Sequence, residues 1–142
     1  MNMDSILRGK GRDVVTINEA LSLHEAAKLM DSHGIGALLV CDSHDRPTGV
    51  ISERDIIREL ALNGAASLQR SISGAITGAF LTAAPEDLIE TVMVRMTERR
   101  VRHLPVLDEA RLVGIVSIGD LVKARIAEVE AETDDLRNYI HH

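Results

Sequence analysis

A mixed α/β (α+β) fold is predicted, made of two βαββα repeats followed by a long C-terminal helix. Three observations predict it. The apolar spacing Leu23, Ala26, Ala27, Met30 marks one face of a helix, and it returns 66 positions later at Ile89, Val92, Met93, Met96. The run Gly49-Val50-Ile51-Ser52-Glu53-Arg54-Asp55 returns 65 positions later as Gly114-Ile115-Val116-Ser117-Ile118-Gly119-Asp120. From Leu121 to Ile140 there is neither Gly nor Pro, so one helix can run through.

The elements follow in order. Residues 1–13 form an N-terminal arm, 14–65 the first repeat, 66–79 a connecting segment with a short helix, 80–127 the second repeat and 128–142 a helical extension. Each repeat opens on a strand-like piece, Val14-Val15-Thr16 and Phe80-Leu81-Thr82. Ser22 with Glu25 has the spacing of a capping box, and Pro85 suits the first turn of the matching helix. The compact apolar runs Ala37–Cys41 and His103–Leu107 read as buried strands, each ending at an acidic turn, Asp42 or Asp108. The one-residue difference between the two periods falls in the loops Ser43–Thr48 and Glu109–Val113, where a change of length costs little. After Asp55 a helix with Ile56, Ile57, Leu60 and Ala61 inward stops at Gly64, and its counterpart turns Leu121, Val122 and Ile126 inward. In the linker Leu68, Ile72 and Ile76 are expected anchors.

Composition narrows the function. The chain has 142 residues, 16 Lys plus Arg, 22 Asp plus Glu and a net charge of −6, which makes it a poor general partner for nucleic acid. Phe80 and Tyr139 are the only aromatics, so there is no platform for stacking single-stranded bases. The single Cys41 excludes an internal disulfide and a cysteine-rich zinc site, and a buried inert thiol is expected there. The six histidines have no metal-ligand spacing, and His141 and His142 have the look of a tag remnant. No apolar h-region and no membrane-length apolar run are seen, so a cytoplasmic protein without membrane contact is expected. Gly9-Lys10-Gly11 is too short to read as a phosphate loop, and no nucleophile stands with a base and an orienting group. Binding without catalysis is the expectation, with an enzyme as the reading that turnover would revive.

Two readings fit the Ser-x-x-Asp runs. Ser52 and Ser117 stand where strands end and helices begin, a place whose free N–H groups and partial positive charge favour phosphate. An ionised carboxylate one turn on has two acceptor oxygens suited to the two hydroxyls of a ribose. The same spacing is also a plain helix cap, in which Asp55 and Asp120 serve only their own helices.

The runs Gly49–Asp55 and Gly114–Asp120, with Arg102-His103-Leu104-Pro105-Val106 ahead of the second, make the chain resemble a tandem pair of CBS domains (named for cystathionine β-synthase), over about residues 14–63 and 80–126. The resemblance implies two lobes related by a pseudo-twofold axis, clefts between them that take adenosine-containing nucleotides (AMP, ADP, ATP or NAD(H)), and a homodimer that conveys occupancy to a regulated protein. It places ribose and phosphate on Ser52, Arg54, Asp55, Arg102, His103, Ser117 and Asp120. The two clefts are expected to differ, because Gly36 and Ala37 stand where the second repeat has Arg102 and His103, and Gly119 stands where the first has Arg54. The resemblance draws each base slot from the opposite repeat: Leu21 and Thr48 for the Asp120 cleft, Asp87 (an awkward match) and Val113 for the Asp55 cleft, with Thr16 and Thr82 as further candidates. The alternative is a ligand-independent dimeric adaptor with vestigial clefts. The C-terminal stripe Val122, Ile126, Val129, Thr133, Leu136, Ile140 is heptad-like, which suits pairing with a second copy or packing back on its own domain.

Overall fold

A computed structural model describes residues 1–76 and 80–140. The order is α1 (Met3–Lys10), β1 (Thr16–Asn18), α2 (Leu23–His33), β2 (Ala37–Cys41), β3 (Pro47–Ser52), α3 (Glu53–Asn63), a 3-10 turn (Ala65–Gln69), α4 (Ile72–Ala75), α5 (Ile89–Arg99), β4 (His103–Asp108), β5 (Arg111–Ser117) and α6 (Ile118–Ile140). The chain divides into two units, one of residues 13–81 and one that joins residues 1–12 to the chain from Thr82 onward.

In the unit of residues 13–81, β1 runs parallel to β2 and β2 antiparallel to β3. Ile17, Leu38, Val40 and Ile51 pack with Leu23, Ala26 and Met30 of α2, Ile56 of α3, and Ile72 and Ala75 of α4. The helical spacing read from sequence is the buried face of α2, with Ala27 at its margin. α3 departs from expectation. Ile57 is 63% exposed, Leu60 and Ala61 are exposed too, and Glu59 is the buried residue next after Ile56. Arg70 explains the exchange: its Nη1 donates to Glu59 Oε2 at 2.7 Å while Asn63 Nδ2 donates at 3.0 Å, so the carboxylate is buried with its charge paired. Gly64 ends α3 at φ 75°, a conformation that Gly adopts without strain.

In the other unit, α5 buries Ile89, Val92 and Met96, and β4 pairs antiparallel with β5. α5 starts at Ile89, after the turn that holds Pro85, and Leu88 caps it without a side-chain bond. The strand expected over Phe80–Thr82 is reduced to a single parallel bridge between Ala83 and Val106. Proline is the cause. In the first repeat Leu39 N–H donates to Val15 O. The residue 66 positions on from Leu39 is Pro105, which has no N–H, so that rung is missing. The rungs that need only the Pro105 carbonyl and the Leu107 N–H survive, at 3.0 and 2.9 Å, both to Ala83. Asp108 and Arg111 pair across a two-residue turn whose Glu109 and Ala110 both have positive φ, the tight connection that shortens this repeat.

The segments ahead of the repeats pack crosswise. α1 precedes the first repeat, yet Met3 N–H bonds to Asp87 O and Ile89 N–H bonds to Met1 O. α4 precedes the second repeat, yet Ile72 N–H bonds to Leu21 O and Leu23 N–H bonds to Arg70 O. The two bond sets are equivalent under the internal repeat. Met3 and Ile72 are both fully buried by this exchange.

α6 is the single long C-terminal helix, but Leu121 is its one buried residue among those described. Val122 and Ile126, expected inward, are exposed, and so are Val129, Leu136 and Ile140.

Candidate functional site

Both Ser-x-x-Asp runs fold into reciprocal capping boxes. Ser52 N–H donates to Asp55 Oδ2 at 2.8 Å and Asp55 N–H to Ser52 Oγ at 3.4 Å. Ser117 N–H donates to Asp120 Oδ2 at 2.8 Å and Asp120 N–H to Ser117 Oγ at 3.1 Å. The geometry follows from the chain. A strand delivers Ser in extended conformation, and the carboxylate at N3 reaches back to the N-cap N–H. The carbonyl one residue ahead of β2 or β4 also holds each corner: Gly36 O accepts from Glu53 N–H and Arg102 O from Ile118 N–H, both at 2.9 Å. Arg102 is thereby placed beside the Ser117 corner, with its side chain exposed, and His103 lies opposite Ser117 in the β4–β5 ladder, half-buried.

Each carboxylate carries a cation. Arg58 Nη2 donates to Asp55 Oδ1 at 2.7 Å from one turn along α3. Lys10 Nζ, from the last turn of α1, donates to Asp120 Oδ2 at 2.6 Å and to Ile115 O at 2.9 Å. Lys10 and Arg58 are the site residues that sequence reasoning missed. No local pattern marks a lysine 110 positions from its partner, whereas the Asp55–Arg58 spacing was readable. Burial raises the Asp120 pKa, but the Lys10 ammonium and the Ser117 donors outweigh it and hold the carboxyl below its ordinary value. A depressed folded pKa contributes stability that is present above the unfolded value and is lost as pH falls through the folded one. The difference in unfolding free energy between the native chain and Asp120→Asn is therefore expected to be full at pH 6 and to shrink below about pH 4. Urea titrations across that range measure it; a gap that does not shrink at all as pH falls below about 4 contradicts the ion-pair account.

The other expected residues divide between the units. Arg54 is exposed in the first turn of α3, beside Asp55. Thr16 is exposed at the start of β1, Leu21 is 38% exposed ahead of α2, and Thr48 Oγ1 donates to Glu19 Oε2 and Val40 O, both at 3.3 Å. Thr82 and Val113 belong to the other unit; Thr82 O accepts from Arg95 Nη1 at 2.8 Å and Val113 is half-buried on β5. Asp87, the awkward match, is committed locally: its Oδ2 accepts from Ala84 N–H at 2.9 Å and from Arg95 Nη1 at 3.3 Å.

Cys41 is buried, and burial foremost, with Asp45 and Asp42 nearby, pushes its thiol pKa up. Among the described residues no group of three His, Cys, Asp or Glu is placed to hold a metal ion, and no helix is long and apolar enough to cross a membrane. His141 and His142 lie outside the described residues.

A helix, two antiparallel strands and a second helix, occurring twice with a hydroxyl and a carboxylate at each strand-to-helix corner, define the class of protein. The chain belongs to the CBS-domain family, whose domain matches residues 11–62 and again 72–127. It is 33% identical over 123 residues to the mitochondrial CBS domain-containing protein CBSX3 of Arabidopsis thaliana, covering 84% of this chain and 60% of that protein. The chain thus spans less than two thirds of that relative's length. Solved structures of similar size share the fold. The CBS-domain protein ATU1752 of Agrobacterium tumefaciens matches at TM-score 0.83 and 43% identity, covering 87% of this chain and 92% of that one. PAE2072 of Pyrobaculum aerophilum, solved with AMP, matches at 0.78 and 25%, covering 94% and 99%. The CBS pair of MJ0100, solved with 5′-methylthioadenosine and S-adenosylmethionine, matches at 0.78 and 27%, covering 90% and 98%.

Proposed function

We propose that this chain is a non-catalytic regulatory module that binds an adenosine-containing nucleotide (AMP, ADP, ATP or NAD(H)) in clefts between its two repeats and passes occupancy to a partner protein. The observation that carries this is the pair of Ser-x-x-Asp corners, each with a carboxylate one turn beyond a helix N-terminus. The relatives solved with AMP and with S-adenosylmethionine support it, since adenosine is common to both ligands. Asp55 and Asp120 would accept the ribose hydroxyls, with Ser52 and Ser117 beside them. Arg54 in one cleft and Arg102 with His103 in the other would meet phosphate. Thr16, Leu21, Thr48, Thr82 and Val113 would border the bases, a role that Asp87 is poorly placed to share.

The exposed stripe Val122, Ile126, Val129, Leu136, Ile140 supports a homodimer through α6, since an apolar face of this length is rarely left to water. A cytoplasmic setting is part of the same proposal. The ligand-independent adaptor keeps one observation in its favour: both carboxylates are already satisfied by caps and cations.

Thermal shift on nucleotide-stripped protein separates the two. At 100 times Kd a ligand adds about 2.7 kcal/mol, which for a chain of this size raises Tm by roughly 5–10 °C. A flat response to all four nucleotides would leave the adaptor reading.

A further inference from the structure

We propose that Lys10 is an internal competitor of the nucleotide at the Asp120 corner, so that ligand binding there must withdraw Lys10 and untie the last turn of α1 from that corner. The inference rests on the reading of Asp120 as a ribose acceptor. A cis-diol presents two O–H donors, and a carboxylate takes them best with one on each oxygen. Asp120 Oδ2 already accepts two donors, Ser117 N–H at 2.8 Å and Lys10 Nζ at 2.6 Å. Ser117 N–H is backbone at a strand-to-helix junction and cannot withdraw. Lys10 Nζ ends a flexible four-carbon stem and its side chain is 34% exposed, so it is the donor that can leave. It also occupies Ile115 O, a second acceptor of the same corner.

The consequence reaches beyond one side chain. α1 is anchored at its start by Met3 N–H on Asp87 O, and in its middle by Leu7, fully buried against Gly114. Its last turn is held by Gly11 N–H on Leu7 O, by Lys10 on Asp120, and by Arg8 and Arg12 on Asp4. Two residues beyond Gly11 the chain enters the other unit. Withdrawal of Lys10 therefore removes one of the ties next to one of the two places where the chain passes between the units. The Asp55 corner is wired differently: Arg58 lies on the same helix as Asp55, so displacing it disturbs no other element. Occupancy of the two corners is thus unequal in effect, and the Asp120 corner is the one coupled to the N-terminal helix.

The test uses AMP as the probe, with the full chain carrying Asp55→Asn so that one corner is read. Isothermal titration compares that background with added Lys10→Met or Asp120→Asn. Hydrogen exchange of peptides spanning residues 3–11 is followed with and without saturating AMP. Lys10→Met is expected to tighten AMP about tenfold, the scale of one displaced charge-assisted bond. Lys10→Gln, which keeps a neutral donor, is expected to fall between. AMP is expected to speed exchange at Leu7–Gly11 in the Lys10 protein and to add nothing in Lys10→Met. If Asp120→Asn weakens AMP while Lys10→Met binds it equally or less well, the competitor role is overturned and the ribose reading stands. If Asp120→Asn binds AMP as its background does, the ribose reading fails and takes the competitor role with it.

Discussion

Leu7→Ala is expected to destabilise the protein by about 2–5 kcal/mol, and Gly114→Ala by about 1–3 kcal/mol, with the double variant costing less than the two together. Leu7 is fully buried, and a Cβ added at Gly114 would lie 2.6 Å from its Cδ2 and 2.9 Å from its Cδ1, closer than carbon atoms tolerate. Truncating Leu7 opens a cavity; adding a methyl at 114 overfills the same space. Each change partly relieves the other, so the cycle should show coupling of about 0.5–3 kcal/mol. The equivalent glycine of the first repeat is an internal control. A Cβ at Gly49 would sit 3.5 Å from Ile76 Cδ1 and Cγ2, ordinary contact, so Gly49→Ala should be neutral or stabilising by up to about 1 kcal/mol. Urea midpoints at constant m-value measure all four proteins. Strict additivity of Leu7→Ala and Gly114→Ala would show that α1 does not rest on β5 as described.

On the proposed reading of the corner, Asp120→Ala is expected to weaken nucleotide binding there by about 100-fold or more, since that reading gives the carboxylate two charge-assisted hydrogen bonds of about 1.5–3 kcal/mol each to the ribose. It also strips the cap from Ser117 N–H, a loss of about 1 kcal/mol, and leaves Lys10 without its carboxylate. Asp120→Asn separates the effects, because the amide oxygen still accepts from Ser117 N–H while the charge is gone. Titration calorimetry with AMP on both variants, beside their unfolding free energies, distinguishes a binding role from a capping one. A Kd unchanged in Asp120→Ala, with stability alone reduced, would reduce the corner to a helix cap.

The corners themselves were legible because their signals are local. Ser52 and Ser117 sit three residues before their carboxylates, a spacing that backbone geometry turns into a capping box. The buried faces of α2 and α5 were legible for the same reason, as helical periodicity records which side meets a core. Periodicity misjudged α3, where Ile57 and Leu60 lie outward and Glu59 inward, because the partner that makes Glu59 tolerable, Arg70, arrives from a separate segment. The strand ahead of α5 failed for a reason that was in the sequence but needed register to read: Pro105 falls on a rung that requires an N–H.

The amino-acid sequence alone determined the duplication, because two stretches 65 to 66 positions apart repeat one pattern, and it determined the two Ser-x-x-Asp corners and the long terminal helix, because each of these depends on residues within a turn or two of one another. Tertiary structure decided the rest. It carried α1 onto β5 and α4 onto the first repeat, set Lys10 on Asp120 across 110 positions, and left the apolar stripe of α6 uncovered. Contacts between distant segments are chosen by which surfaces fit when the chain collapses, and no local spacing encodes that choice.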